Sequence, residues 1–406
     1  MRLKRPEAVR VLAGLAALLM LFLPVQPVFC AQITRVAVEN YPDFADDLVF
    51  DGLDRTIAAS LAYYEKLPAS REFEFGPDTY TAAELAAGLQ RFKEFVRTRP
   101  VPLELKRFFK KHARVYAFEE KKQQVRVLFT GYYEPVLAGS PRRSGKYPYP
   151  VYARPRDLVH VDLGAFDRQC GKSTVIGRNT GSRVVPYYDR RTIETTDVLE
   201  SRADVIAWVA DPVKRFFLHV QGSGRIVFES GRICRVNYDI TNGRPYRSIG
   251  RYLIDKGKIS REEMSMQAIG DYIRGHPDEM QEIFFYNPRY VFFKEAQDGP
   301  FGSLGVKLTP GRSVALDQEI TPSGALLFVS AKRPVGDGTG GVDHWQAFSR
   351  FMCSQDTGSA IRGPGRADIF WGSGGYAELA AGHMKHRGRL YFLVINPDAK
   401  PPIPSR

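Results

Sequence analysis

Two short stretches near the carboxyl end decide the fold of this chain: residues 355–361, Gln-Asp-Thr-Gly-Ser-Ala-Ile, and residues 366–372, Arg-Ala-Asp-Ile-Phe-Trp-Gly. The first carries Asp356 directly before Thr-Gly, a pattern most often found in a turn whose aspartate bonds its own backbone. The second carries Asp368 inside an apolar, strand-like run, where a carboxylate is costly to bury unless it is paired or shares a proton. Such burial raises the pKa of a carboxyl group, which is what a general acid needs.

A third aspartate, Asp317, follows the strand-like residues 313–316. It has a structural explanation, because it can start the turn that Pro322 and Gly324 continue. Of the three aspartates, only Asp368 is hard to explain by structure alone.

The first half of the chain changes from helix to strand. Residues 31 to about 120 show a helical period, with a capping box at 81–84 and a further helix beginning at 103–109. The period becomes that of a strand at 125–129, and antiparallel β structure is predicted from there to about Gln221.

The second half changes in the same way. Helical periodicity returns between residues 246 and 290, most plainly at 265–274 and 278–286. After Gly299 the pattern is again typical of strands, at residues 313–316, 325–329, 367–370 and 390–395.

The composition is that of a folded globular protein. The 406 residues are too many for one ordinary core and predict two domains, or one domain with a large insert. Hydrophobic residues make up 44% and charged residues 25%, which excludes a disordered or fibrous chain. The 58 Lys and Arg against 45 Asp and Glu give +13 at pH 7, so an anionic partner is expected: nucleic acid, a membrane surface or an acidic polymer.

Residues 1–30 have the features of a secretory signal peptide. A basic start precedes an apolar run over residues 11–23, and the segment ends at Cys30, which is either removed with the signal or carries a lipid anchor. Phe29 is large for a lipoprotein signal, so plain export is favoured and the anchor stays open. Without this segment the chain keeps 54 basic against 44 acidic side chains, so the positive charge belongs to the exported part. Export argues against a nucleic-acid partner.

Neither a metal nor another cofactor is expected. The cysteines after the signal segment are Cys170, Cys234 and Cys353. They are too few and too widely spaced for a disulfide framework, and their odd number leaves at least one free thiol. His383 and His386 stand alone without an HExxH pattern. The Gly-Ser-Gly at residues 222–224 is a weak phosphate-binding signal, because it lacks a Walker lysine and a Rossmann acidic partner.

Several segments, in order along the chain, resemble the membrane-bound lytic murein transglycosylase A family. Residues 316–317, with the two stretches quoted first, look like its three-aspartate (3D) double-psi β-barrel domain. The rest of the family is matched by residues 129–135 (FTGYYEP), 217–226 (FLHVQGSGRI), 246–250 (YRSIG) and 265–269 (SMQAI). Residues 234–241 are more polar than the resemblance predicts.

The resemblance implies a mainly β protein with helices, in which two domains are separated by a groove. The expected parts are a signal peptide (1–30), the N-terminal helical part of the barrel domain (31–135), an inserted β domain (136–298), the three-aspartate double-psi β-barrel (299–400) and a tail (401–406). The barrel domain would combine N-terminal helices with C-terminal strands.

The resemblance also implies cleavage of the β-1,4 bond between N-acetylmuramic acid and N-acetylglucosamine in peptidoglycan, which leaves a 1,6-anhydromuramic acid end. One carboxyl group can serve as acid and then as base for the sugar's own C6 hydroxyl, which attacks C1 in place of water. By motif this catalytic role falls on Asp368. Asp356 would orient Asp368 or raise its pKa, and Asp317 would be a more distant member.

Residues of both domains are expected to line the groove. These are Gly131, Tyr132, Tyr133 and Glu134 at the domain crossing, Gln221, Ser223 and Arg225 with amide, hydroxyl and cationic groups, and Asp317 and Trp371 in the barrel. Each has a structural alternative as a hinge or packed turn, and for a single tryptophan a place in the core is the more frequent outcome.

Two other functions stay open at this point. An inverting hydrolase of the barwin-like type would use Asp356 and Asp368 as a pair with water as the nucleophile. An expansin-like wall-binding protein would grip the glycan without cutting it. The expected partner is peptidoglycan glycan strands, with outer-membrane or wall-synthesis proteins as further candidates, and the protein is expected to be a monomer in the periplasm or at the outer membrane.

Overall fold

The structure is a computed structural model that describes residues 31–171 and 173–396. The predicted signal peptide with Cys30 and the predicted tail at 401–406 lie outside the described residues. Within the described part of the chain, no helix is both long and apolar enough to cross a membrane.

Strands and helices are numbered here in chain order. The strands are β1 (Gln32–Arg35), β2 (Glu72–Phe75), β3 (Asp78–Thr81), β4 (Ala113–Glu120), β5 (Gln123–Gln124), β6 (Val127–Tyr132), β7 (Val136–Ser140), β8 (Tyr149–Tyr152), β9 (Leu158–Asp162), β10 (Thr174–Asn179), β11 (Val184–Pro186), β12 (Val205–Val209), β13 (Ser223–Phe228), β14 (Ile233–Thr241), β15 (Val291–Ala296), β16 (Ser313–Ala315), β17 (Leu326–Gly336), β18 (Val342–Asp356), β19 (Arg366–Phe370) and β20 (Lys385–Ile395). The α-helices are α1 (Leu53–Tyr64), α2 (Ala82–Arg97), α3 (Pro102–His112), α4 (Arg190–Thr195), α5 (Pro212–Gln221), α6 (Ile249–Asp255), α7 (Met266–Gly275), α8 (Met280–Tyr286) and α9 (Gly375–His383). Turns of 3₁₀ helix lie at Val38–Asn40, Leu163–Ala165, Arg168–Cys170 and Pro277–Glu279.

Six strands close into a barrel. Their order is β6, β20, β17, β18, β16 and β19, and β19 pairs with β6 to complete the circle. Neighbours run antiparallel, except that β16 with β18 and β19 with β6 are parallel. Strand β6 precedes the other five by more than 170 residues, so the two halves of the chain build one barrel.

The N-terminal helices complete the barrel core. The Phe44 ring stacks on Phe109 of α3 with centroids 4.0 Å apart, and Phe92 of α2 meets Phe351 of β18 at 5.0 Å. All four rings are fully buried. Aromatic pairs of this kind stabilise the fold by more than the burial of their apolar surface area alone would.

Strands β7 to β15, with helices α4 to α8, form a separate part of the chain, called the insert below. Its main sheet has the order β15, β14, β13, β7, β12 and β8, and a smaller sheet has the order β11, β10 and β9. Helices α5 to α8 enclose an apolar cluster, in which Phe216 stacks on Phe284 with centroids 4.7 Å apart. The insert therefore has cores distinct from that of the barrel.

The predicted fold class, mainly β with helices, a barrel and an inserted β region, is confirmed. The capping box is also present, because Thr81 Oγ1 accepts from the Glu84 N–H at 3.2 Å and the Glu84 carboxylate accepts from the Thr81 N–H at 2.8 Å. The cysteines Cys170, Cys234 and Cys353 are all free thiols.

Three predictions about the elements are corrected. The region 31–120 contains strands β1 to β4 besides its helices, and the barrel takes strand β6, not only helices, from the N-terminal half. Residues 212–221, predicted as β, form helix α5. The Asp211 carboxylate caps this helix by accepting from the N–H groups of Val213 and Lys214, and left-handed Gly222 ends it. Asp-Pro is equally typical of a turn, so this dipeptide alone does not indicate a helix start.

A buried ion pair ties the N-terminal segment to the barrel. The Arg312 guanidinium, fully buried, donates to both carboxylate oxygens of Asp46 at 2.5 and 2.9 Å. It also donates to the backbone oxygens of Asp51 and Phe351, each at 2.8 Å. Loss of one partner would leave the other charge buried and unpaired.

We expect Asp46→Ala to lower the free energy of unfolding by about 3–5 kcal/mol, because it leaves the buried Arg312 guanidinium without its carboxylate partner. Urea denaturation of the full protein measures this. The control is Asp255→Ala, which breaks the exposed pair with Arg251 (2.7 Å) and is expected to cost less than about 1 kcal/mol. Equal losses for the two variants would contradict the expectation.

Candidate active site

A row of four side chains crosses the barrel wall at β16. Ala315 lies opposite Asp356 of β18 and opposite Asp368 of β19, and Asp368 lies in turn opposite Thr130 of β6. Directly paired residues on adjacent strands project from the same face of a sheet. The two aspartates therefore face the same side of the wall, and the residue between them contributes only a methyl group.

A β-bulge in β18 puts Asp356 in this row. The pairing with β16 skips Gln355, so Asp356 lies opposite Ala315. The Gln355 side chain is fully buried. Its Oε1 accepts from Ser313 Oγ at 2.7 Å, and its Nε2 donates to Ser60 Oγ at 3.0 Å. The bulge re-aims the strand end and brings the second carboxylate to the first.

Asp368 has the environment of a general acid. Its side chain is partly accessible, and its Oδ1 accepts a hydrogen bond of 2.7 Å from Thr130 Oγ1. Burial raises the pKa of Asp368 to about 6; the Thr130 bond and the Arg366 charge oppose this rise, and the Asp356 charge adds to it. Near neutral pH both protonation states are accessible, so Asp368 can give and take a proton.

Asp356 is held by three donors. Its Oδ2 accepts from the Tyr132 hydroxyl at 2.7 Å, and its Oδ1 accepts from the N–H groups of Ser303 and Thr357, each at 2.8 Å. Burial raises the pKa of Asp356, whereas these bonds to the charged form lower it. Since both oxygens are occupied, the environment suits a fixed charge better than a proton carrier.

Asp317 lies off the row. It is 5% exposed, and its carboxylate accepts from the Gly363 N–H at 2.8 Å and from Arg362 Nη1 at 3.2 Å. These bonds fasten the loop between β18 and β19, which favours a structural role. Within the described residues no three or more His, Cys, Asp or Glu side chains converge as metal ligands would.

The predicted groove residues at the domain crossing form a bonded junction. Glu134 is buried and accepts from Arg225 Nε at 2.6 Å; burial raises its pKa and Arg225 lowers it. The N–H of Tyr133 donates to Gln221 Oε1 at 3.0 Å, and Ser223 begins β13 beside them, largely buried. The junction fixes the point where the chain leaves the barrel for the insert.

Gly131 and Trp371 are in direct contact. A Cβ on Gly131 would lie 2.6 Å from Cδ1 of the indole, so only glycine fits there. Trp371 is 7% exposed and meets Phe348 and Tyr376 edge-on, with centroids 6.2 and 5.8 Å away. This burial favours the core alternative for Trp371 over a sugar platform.

The loop that returns from the insert to the barrel packs against Asp356. Gly302 packs so closely that a Cβ there would lie 3.2 Å from Cβ of Asp356, and the next residue, Ser303, bonds its carboxylate. The neighbouring Phe301 is 41% exposed. The backbone of Phe301 forms a β-bridge with that of Lys307, whose charge lowers the pKa of Glu134.

Sequence reasoning missed Thr130, Arg366 and Phe301 as site residues. Thr130 had a signal, because alternation along a strand puts it on the same face as Tyr132. Arg366 had the same signal, because it stands two residues before Asp368 on β19, whereas Phe301 had none, since its place depends on a loop closed by non-local bonds.

Comparison with known proteins matches both parts of the chain. The model of the MltA specific insert domain matches residues 128–294, and that of the 3D domain matches residues 312–394. Membrane-bound lytic murein transglycosylase A of Escherichia coli K12 is 34% identical over 276 residues, which are 67% of each chain, and that of Vibrio cholerae O1 is 31% identical over the same length and share.

Solved structures agree over nearly the full chain. A membrane-bound lytic murein transglycosylase from Agrobacterium tumefaciens is 31% identical, with a TM-score of 0.73 over 90% of this chain and 98% of that one. E. coli MltA with bound chitohexaose is 27% identical, with a TM-score of 0.68 over 91% and 96% of the two chains.

The raised pKa of Asp368 has a consequence for stability. The folded state holds this proton more tightly than the unfolded state, in which the pKa is the usual 3.8. The resulting stabilisation is present below about pH 4 and is lost as the pH rises through about 6. We therefore expect Asp368→Asn, which stays neutral, to raise the free energy of unfolding by roughly 1–3 kcal/mol near pH 7.5 and by far less near pH 4.

Urea denaturation at both pH values measures this difference. Asp278→Asn, on the exposed surface, is the control and is expected to change stability little at either pH. A stabilisation by Asp368→Asn that does not depend on pH would contradict the assignment.

Proposed function

Because the chain belongs to the membrane-bound lytic murein transglycosylase A family, we propose that it cleaves the β-1,4 bond between N-acetylmuramic acid and N-acetylglucosamine in peptidoglycan and leaves a 1,6-anhydromuramic acid end. The family predicted from the motifs is thereby confirmed. The observation that carries the proposed chemistry is the row on the barrel wall, in which one carboxyl group with a pKa of about 6 lies beside a second, firmly bonded one.

Asp368 acts first as the acid. Its proton passes to the glycosidic oxygen, the bond from that oxygen to C1 of the muramic acid breaks, and the N-acetylglucosamine leaves with a free hydroxyl. The Asp368 carboxylate then takes the proton of the C6 hydroxyl as that oxygen bonds to C1. The proton returns to Asp368, so acid and base are one residue and no water is consumed.

Asp356 supports this step without exchanging protons. The donors Tyr132, Ser303 and Thr357 favour its charged form. A negative charge there raises the pKa of Asp368, which keeps the acid protonated at the start of the reaction, and it stabilises the positive charge that develops at C1.

The bonding of Asp356 also bears on the hydrolytic alternative. An inverting hydrolase needs its second carboxylate free to activate water, with room for that water between the two groups. Here both Asp356 oxygens already accept hydrogen bonds from the protein, so neither is free to activate water. The geometry supports one acid-base residue over a hydrolytic pair, and the raised pKa of Asp368 gives a purely wall-binding protein no advantage.

We infer that the glycan strand lies along the junction and the row. Tyr132, Gln221, Ser223 and Arg225 stay proposed substrate contacts, with Gly131, Tyr133 and Glu134 shaping the crossing and Asp317 and Trp371 supporting it from within. Phe301 joins the set as an exposed ring on which the apolar face of a sugar can rest.

We also propose that the protein is exported and acts as a monomer at the periplasmic side of the outer membrane. The support is the signal-like segment at residues 1–30 and the membrane-bound relatives. The net positive charge suits a polymer whose peptides carry carboxylates.

Asp368→Asn removes the transferable proton, so we expect turnover of purified sacculi to fall by about 10²–10⁴ while glycan binding persists. Mass analysis of the soluble products is the measurement, and wild type is expected to release anhydromuramic ends. Reducing muramic acid ends from the wild type would instead identify a hydrolase, and undiminished clearing by Asp368→Asn would remove the catalytic assignment.

Phe301→Ala is expected to raise KM for glycan strands roughly tenfold with little change in kcat, because an apolar contact worth about 1.4 kcal/mol is lost from binding alone. Phe301→Trp keeps an aromatic ring at this position and should leave KM close to that of the wild type. The matched control is Phe166→Ala, which removes an 82% exposed ring from the insert. Equal effects of Phe301→Ala and Phe166→Ala on KM would contradict a sugar contact at Phe301.

A further inference from the structure

Two short helices of the insert bury a polar cluster away from the catalytic row. Helix α4 contributes Arg190 and Glu194, and helix α5 contributes Arg215 and His219; in each pair the residues are one helical turn apart. Tyr290, just before β15, closes the cluster with its ring 4.3 Å from that of His219. All five side chains are nine-tenths buried or more.

The cluster holds more positive than negative charge. Glu194 Oε1 accepts from Arg190 Nη1 at 2.8 Å and from Arg215 Nη2 at 3.1 Å, so one carboxylate serves two guanidinium groups. Burial, followed by the charges of the two arginines, holds the pKa of His219 well below its usual range, so His219 is neutral. One buried positive charge has no partner of opposite charge in the cluster.

The tautomer of His219 follows from its neighbour. Arg190 Nη2 lies 3.1 Å from His219 Nδ1, and a guanidinium group can only donate. Nδ1 therefore accepts, and the single ring proton of the neutral imidazole is on Nε2. His219 thus offers an N–H group on its far side.

Three donors of the cluster have no hydrogen-bond partner within the described residues. They are His219 Nε2, Arg215 Nε and the Tyr290 hydroxyl, and each is buried. An unmet buried donor costs about 1–3 kcal/mol, so each of these three needs an acceptor.

We propose that this cluster binds one small monovalent anion of chloride size, held by His219 Nε2–H, Arg215 Nε–H and the Tyr290 hydroxyl. Such an ion accepts from all three donors and neutralises the surplus charge at the same time. A water molecule would accept at most two of these bonds and leave the charge unmet.

The anion would act on a helix that reaches the catalytic region. Helix α5 carries Arg215 and His219 in its middle and ends at Gln221, which bonds the backbone of Tyr133 next to β6. Stability, however, is the direct readout, and it does not depend on whether the protein cleaves peptidoglycan.

Thermal unfolding of the full protein in sodium chloride, compared with sodium gluconate at equal ionic strength, tests the site. We expect a saturable rise of Tm with chloride, because a ligand of the folded state alone stabilises it by mass action. Tyr290→Phe removes one donor and should weaken the chloride response about tenfold. The matched control is Tyr187→Phe, another fully buried tyrosine, whose hydroxyl donates to Asp157 at 2.9 Å. It should lower Tm but keep the chloride response.

Crystals soaked in sodium bromide give a second readout that needs no variant. An anomalous peak within hydrogen-bond distance of His219 Nε2 and Arg215 Nε is expected. Equal Tm values in chloride and gluconate, or an ordinary water in place of the bromide peak, would overturn the proposal.

Discussion

The pairing of β6 with both β19 and β20 is the constraint on which the rest of the structure depends. It closes the barrel, brings Thr130 to Asp368 and Tyr132 to Asp356, and ends two residues before the junction at Glu134. Strand β6 therefore supplies one member of the catalytic row and leads directly into the insert. A shift of β6 by one residue would turn both hydroxyl groups away from their carboxylates.

The sequence allowed the family, the order of helix and strand regions and the special position of Asp368 to be predicted, because each rests on local patterns. The remaining site residues depend on register. Nothing near residue 355 signals that Gln355 is skipped in the pairing, since the bulge is fixed by Ser60 and Ser313, far away in sequence. Trp371 was ambiguous for the same reason, because its burial follows from its contact with Gly131 on another strand.

Charged side chains that are shielded from solvent have three different environments in this molecule. The Arg312 guanidinium is fully matched by Asp46 and backbone oxygens, which fastens the N-terminal segment. Asp368 accepts from one hydroxyl donor only. Its environment raises its pKa, and this raised pKa allows it to act as an acid. The two arginines near Glu194 share one carboxylate, and three buried donors of that cluster have no partner within the described residues, which is why we assign an ion there.

The bond between Thr130 and Asp368 spans 238 residues of sequence, and the barrel cannot close before β20 is available. A chain made from its amino end therefore completes the insert, with its own cores, long before the catalytic row can assemble. Contacts of such high contact order form late and slowly in folding. The catalytic row is consequently incomplete until β19, near the end of the chain, has paired with β6.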